Sequence, residues 1–239
     1  MGLTVSGHVP IAVKVEEAAD AGIRSIEHLA NYQVLGECMS GDTYSLAGCL
    51  RLFDKLAAKG VWQTPTLAFE QTLPDVFDGQ PLRHSEYASD SLLQLTRLNI
   101  EVSHVPKATL DKLRYAARLT LQQGIRDLYS RGNRFLAGCD GLVPGFCLHD
   151  ELDWFTKAGF TPLEALQSAT INPARFLGRE RWQGTIDVGK RADLVLLDSD
   201  PLLDIRNTQK VDAVILRGKL VPKPAIDRII EKHRRTEVQ

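Results

Sequence analysis

Three short stretches carry residues that could do chemistry: Ser6-Gly7-His8-Val9-Pro10, Ser25-Ile26-Glu27-His28-Leu29 and Leu136-Ala137-Gly138-Cys139-Asp140-Gly141. In each, a strand-like lead-in runs into a group suited to chemistry: His8, His28 or Asp140. A β/α barrel presents its site residues in this way, at the carboxyl ends of its strands. Two imidazoles and a carboxylate could hold one zinc ion, since catalytic zinc takes three protein ligands plus a water whose pKa it lowers toward neutrality. Thr64 or Thr66 falls at the same level after a further strand. Asp140 also fits a turn between glycines, and His149 either contacts substrate or simply starts a helix at the barrel rim.

The elements that must position these groups repeat as helix, glycine, strand. Ala12, Val15, Ala18 and Ala19 share one face of a segment ended by Gly22, and the strand 23–28 follows. Leu46, Cys49, Leu50, Phe53 and Leu56 stand at helical spacing, Gly60 closes that helix, and the next strand spans 61–67. A longer helical region, 85–129, is broken by Pro106 and delivers the strand 134–138. After the loop 141–148 comes a helix over 149–158. Thr161-Pro162-Leu163-Glu164 then reads as a capping box with Pro at the first helical position, and Asn172-Pro173 opens a short helix that Gly178 ends.

This order predicts an α/β chain with four parallel strands near 3–8, 23–28, 61–67 and 134–138. A closed barrel needs eight strands and about 250 residues, so residues 1–180 supply half of a TIM-like barrel, strands five to eight with their helices. Residues 181–223 change character: Gly184 to Asp198 reads as turn and strand, and 211–216 with 219–221 as a hairpin around Arg217-Gly218, part of a small β-sandwich domain. Residues 224–239 form a C-terminal helix or tail.

Composition narrows the partners. With 44% hydrophobic residues, 25% charged and a net charge of −1, the chain can build a real core and offers no basic face for nucleic acid. The tail Lys232-His233-Arg234-Arg235 reads as a solvated helix end. No apolar run approaches the length of a membrane span, roughly 18 residues. Cys38, Cys49, Cys139 and Cys147 show no Cys-x-x-Cys spacing and read as reduced thiols, which places the chain in the cytoplasm. Cys139 reads as a small packing residue rather than a nucleophile, and His84, His104 and His233 as surface-helix residues.

Taken together, SGHVP, SIEHL, LAGCDG, the run TPLEALQSATINPARFLG and above all GTIDVGKRADLVLLDSDPL resemble the carboxyl half of the metal-dependent amidohydrolase superfamily. The likeness extends to about residue 221 and is strongest to the branch of imidazolonepropionase-like hydrolases and prolidase-like dipeptidases. It implies that His8 and His28 are the metal-ligating histidines of strands five and six and that Asp140 is the strand-eight aspartate. Asp140 would then bind metal and carry the proton of the attacking water to the leaving nitrogen. In mononuclear, deaminase-like members the strand-six histidine faces substrate instead. The family site holds one or two divalent ions, zinc in the first place, and acts on small amides, cyclic amides or dipeptides. Its first-strand His-x-His pair occurs nowhere in this sequence. The chain is therefore expected to begin at strand five of a longer gene or gene model, as a fragment active with its missing amino-terminal half. The alternative is a truncated remnant without turnover, a half-barrel that self-associates into a homo-oligomer.

Overall fold

The computed structural model describes residues 3–30, 33–40, 43–103, 106, 108–109, 111–112, 114–115, 123–140 and 143–234. Its centre is a four-stranded parallel sheet of β1 (Ser6–Gly7), β2 (Ser25–Glu27), β5 (Trp62–Thr64) and β6 (Arg134–Phe135), paired in that order. The order and direction are those that the helix–glycine–strand repeat predicts. The strands are shorter than the apolar runs, because pairing stops where the chain turns to present polar residues. The helix α1 (Val15–Asp20) joins β1 to β2. A short helix, α2 (Gln33–Gly36), and a small hairpin that the sequence did not signal, β3 (Met39–Ser40) with β4 (Thr43–Tyr44), lie between β2 and β5 in the chain.

Register assigns the faces. Gly7, Ile26, Gln63 and Phe135 form one row across the sheet. Ile26 and Phe135 on this row join the buried core, with Leu52, Phe53 and Leu56 of α3 (Leu46–Lys59) and Leu128 of α6 (Ile125–Ser130). Each such fully buried side chain contributes about 1.5–3 kcal/mol of hydrophobic stabilisation. Gly60 ends α3 in the left-handed conformation, φ 67°, a position an L side chain reaches only with strain. The opposite row is Ser6, Ser25, Trp62 and Arg134, whose outer members are exposed.

The outer edge of β6 is already occupied. Asn172 Nδ2 donates to the Phe135 carbonyl at 3.1 Å, and the Ala137 N–H donates to the Ser168 carbonyl at 2.9 Å. These partners come from α8 (Pro162–Ala169) and α9 (Ile171–Phe176), and α8 opens with the expected capping box between Thr161 and Glu164. Downstream, β7 (Leu194–Leu197), β8 (Val211–Leu216) and β9 (Lys219–Pro222) make one antiparallel sheet. Arg217 and Gly218 turn between β8 and β9 with φ of 51° and 78°, the two positive values a tight hairpin demands. A helix, α10 (Lys223–Lys232), follows.

Helix recurs with interruptions across 85–129, as expected: a 3-10 turn, Ser85–Tyr87, precedes α5 (Asp90–Ser103), Pro106 stands outside helix, and α6 begins at Ile125. Two expectations need correction. His84, expected on a surface helix, stands at φ 59° ahead of that turn and stacks on Phe146 with ring centroids 4.5 Å apart, whereas His104 and Gly141 lie outside the described residues. The cysteines are not reduced thiols. Cys38 pairs with Cys49 and Cys139 with Cys147, at Cα separations of 4.7 and 5.8 Å. These distances suit a disulfide, and chain spacing alone could not reveal them because the intervening turns bring the pairs together. Placement in a reducing compartment no longer follows from the cysteines, since such bonds persist in oxidising surroundings.

One buried carboxyl ties two helices together. Glu151 of α7 (Phe146–Lys157) is fully buried, and its Oε2 accepts from the Ala68 N–H at 2.7 Å, at the start of α4 (Leu67–Phe77). Burial pushes its carboxyl from the ordinary 4.5 up to about 8, against the pull of the Ala68 and Leu67 amides. The unfolded chain releases this proton near 4.5 while the folded chain keeps it to about 8. Folding therefore takes up a proton between those values, and stability falls as pH rises through that window. Urea denaturation across the window is expected to show this decline, and Glu151→Gln, which cannot ionise, to flatten it.

Candidate active site

Each strand of the parallel sheet delivers its chemistry just past its last paired residue. Gly7 ends β1 with φ 145°, and His8 follows it, exposed. Glu27 ends β2, and the chain then turns through His28 at φ 53° and Leu29 at φ 48°. Leu29 is 2% exposed and anchors this turn in the core, while the His28 side chain is 12% exposed at the surface of the sheet end. After β5, Thr66 takes φ 50° and starts α4. Left-handed backbone at three residues with side chains costs about 1–3 kcal/mol each, and such strain concentrates at functional sites.

The turns bring the groups together in pairs. The rings of His8 and His28 lie edge-on with centroids 4.8 Å apart. His28 Nε2 stands 3.5 Å from Asp140 Oδ2, and His28 Nδ1 is 2.5 Å from Thr66 Oγ1. Phe69, on the first turn of α4, packs beside His28 with ring centroids 6.3 Å apart. Among the described residues, no three His, Cys, Asp or Glu side chains are gathered as a ready cage for a metal ion. Two imidazoles and a carboxylate nonetheless form a donor set of the type zinc takes.

Burial holds the His28 imidazole below its ordinary pKa. His8 adds to that depression while Asp140 and Glu27 oppose it. The ring is therefore neutral near pH 7, with one nitrogen free as a ligand or proton acceptor.

His149, on the first turn of α7, points its Nδ1 elsewhere, to Thr208 Oγ1 at 3.0 Å in the 3-10 turn Ile205–Gln209. Its contacts fasten α7 to the β-rich region, and burial lowers its pKa as well. A cavity of about 380 Å³ lined by Trp62, Arg134, Phe135 and Arg175 opens at the amino ends of β5 and β6, the opposite rim from His28 and Asp140.

Three features lie outside the sequence reading. From sequence Thr66 is only a polar residue at a strand end, without its bond to His28. Glu151 does leave a signal there, a carboxylate on the otherwise apolar stripe Cys147, Leu152 and Phe155 of α7. The third is the bond between Cys139 and Cys147, which straps the segment leading to Asp140 to α7.

A model of the amidohydrolase family matches residues 1–221. Adenine deaminase 1 of Carboxydothermus hydrogenoformans is 27% identical over 172 residues, which span 64% of this chain and 27% of that protein. An imidazolonepropionase of Geobacillus sp. is 40% identical over 70 residues, 28% of this chain and 16% of that protein. Among solved structures, a Xaa-Pro dipeptidase with bound methionine superposes with a TM-score of 0.64 at 23% identity, over 92% of this chain and 45% of its own. A bottromycin amidohydrolase gives 0.65 at 24%, over 97% and 54%. The chain thus shares a fold with about half the length of these solved proteins.

Close approach at one glycine sets the site's width. A Cβ on Gly138 would meet Thr64 Cγ2 at 2.5 Å and Thr66 Cγ2 at 3.2 Å, so the segment leading to Asp140 lies against the threonines that flank the His28 contact. Gly138→Ala is expected to force these apart and to destabilise the protein by about 1–3 kcal/mol, as overpacking does. Thermal unfolding checks this, and Gly138→Ala combined with Thr64→Ser, which removes the Cγ2 in closest conflict, should recover part of the loss.

Proposed function

The chain belongs to the amidohydrolase family, and from that premise we propose that it forms the carboxyl half of a metal-dependent hydrolase that cleaves carbon–nitrogen bonds of small molecules. The observation that carries the reading is the pairing of His28 with His8 on one side and Asp140 on the other, past the carboxyl ends of three strands of one parallel sheet. The relatives act, by name, on adenine, on imidazolonepropionate and on Xaa-Pro dipeptides, which share a C–N bond and little else. The substrate class proposed for this chain is accordingly a small amide, cyclic amide or dipeptide, and His149, whose Nδ1 is engaged by Thr208, is assigned to holding α7 rather than to substrate.

In this reading His8 and His28 supply nitrogens and Asp140 an oxygen to a divalent ion, zinc in the first place. The ion would supply positive charge that brings a water's pKa toward neutrality. Asp140, half exposed and facing His28, takes the proton released as the water oxygen bonds to the carbonyl carbon. It returns that proton to the nitrogen as the C–N bond breaks, so the carboxylate ends as it began. Three ligands fall short of the set its family uses, and the remaining ones are assigned to a preceding segment with a His-x-His pair.

The alternative, a half-barrel that self-associates without turnover, draws on Leu3, Val5 and Ile11, which are 80%, 60% and 94% exposed beside the β1 edge. A single experiment separates the two. The 239-residue chain is produced alone and with a segment carrying that pair, and zinc content and turnover are measured on dipeptides, cyclic amides and aminopurines. The hydrolase reading expects weak zinc binding and negligible turnover alone, and turnover with the partner segment that Asp140→Asn lowers by about 100- to 10,000-fold. Turnover absent from both preparations, with dimers of the chain alone, would favour the remnant. Full turnover by the chain alone would overturn the shared-site assignment.

A further inference from the structure

The proton on a single hydroxyl decides which nitrogen of His28 faces the site. Thr66 Oγ1 lies 2.8 Å from the Pro65 carbonyl oxygen and 2.5 Å from His28 Nδ1. A carbonyl oxygen only accepts, and the hydroxyl has one proton to give. If that proton went to His28, two oxygens with opposed lone pairs would be held together where water cannot intervene, since Thr66 is buried. The favourable arrangement gives the hydroxyl proton to Pro65, so Thr66 Oγ1 accepts and His28 Nδ1 donates. The Nε2 lone pair then points toward Asp140 Oδ2, 3.5 Å away. Two acceptors facing one another at that distance are a place for a cation.

Thr66 can serve His28 because another residue takes over the task its position would normally require. It is the residue before the first turn of α4, and its carbonyl accepts from Phe69 and Glu70. A Thr at that position usually caps the helix by accepting from an amide of the first turn with its side-chain oxygen. Here no such cap bond forms, and the Ala68 amide is satisfied instead by Glu151 Oε2 from α7 at 2.7 Å. The left-handed φ of 50° at Thr66, unusual for a β-branched residue, aims its hydroxyl at the histidine.

We infer that Thr66 is a positioning residue that fixes His28 as the Nδ1–H tautomer and turns its Nε2 lone pair to the Asp140 side of the site, with Glu151 capping α4 in its place. The geometry stands without any assumption about metal. Its purpose, presenting a ligand, rests on the hydrolase reading above.

The test is the nitrogen-15 spectrum of the His28 ring in the full chain, assigned by its loss in His28→Gln and read at a pH where the ring is neutral. The wild type is expected to show a protonated Nδ1 and an unprotonated Nε2. Thr66→Gly removes the hydroxyl while accepting the left-handed backbone, and should let the ring relax to a mixture of tautomers. Thr66→Ser keeps the hydroxyl and should keep the Nδ1–H form. Zinc titration of the same proteins should show Thr66→Gly binding about 10- to 100-fold more weakly, with Thr66→Ser near the wild type. An Nε2–H ring in the wild type, a measurement that needs no variant, overturns the inference. So does a Thr66→Gly spectrum like the wild type in protein whose backbone amides show it folded. The predicted tautomers in all three proteins support the inference even if none binds zinc, and that combination counts against the hydrolase reading alone.

Discussion

In-register parallel pairing of four short strands brings the site residues to one rim. Because Ser6, Ser25, Trp62 and Arg134 are level across β1, β2, β5 and β6, the residues that follow each strand emerge side by side. His8, His28, Thr66 and the segment leading to Asp140 are gathered there by backbone hydrogen bonds formed several residues earlier. Side-chain period makes that arrangement unforgiving. A slip of one residue in any pair would send Ile26 or Phe135 out of the core and carry its site residue away with it.

The rim is then narrowed by close packing and strain. The absence of a side chain at Gly138 lets the β6 exit approach Thr64 and Thr66, and left-handed turns at His28, Leu29 and Thr66 swing side chains inward that a continuing strand would alternate outward. Buried neighbours sustain those turns: Leu29 sits in the core, and Glu151 satisfies the amide that Thr66 leaves free. Stability and site geometry are thus drawn from the same contacts. The β6 edge shows the same economy, since the amide of Asn172 and the carbonyl of Ser168 occupy positions an adjoining strand would use.

Local signals were enough to read the parallel α/β plan, the strand order and the candidates His8, His28 and Asp140 from the residues alone: helical spacing, glycine stops, and a polar residue at each strand end. The capping box at Thr161 and the turn at Arg217-Gly218 were legible for the same reason. Folding was needed to settle the pairing of Cys38 with Cys49 and Cys139 with Cys147, the tie of His149 to Thr208, and the roles of Thr66 and Glu151. Thr66 and His28 are 38 residues apart, Ala68 and Glu151 83. No local pattern encodes contacts at such separations. They come into being when strands pair in register and helices pack across them, and the identity of a side chain tells what it can donate or accept but not which partner the fold will set against it.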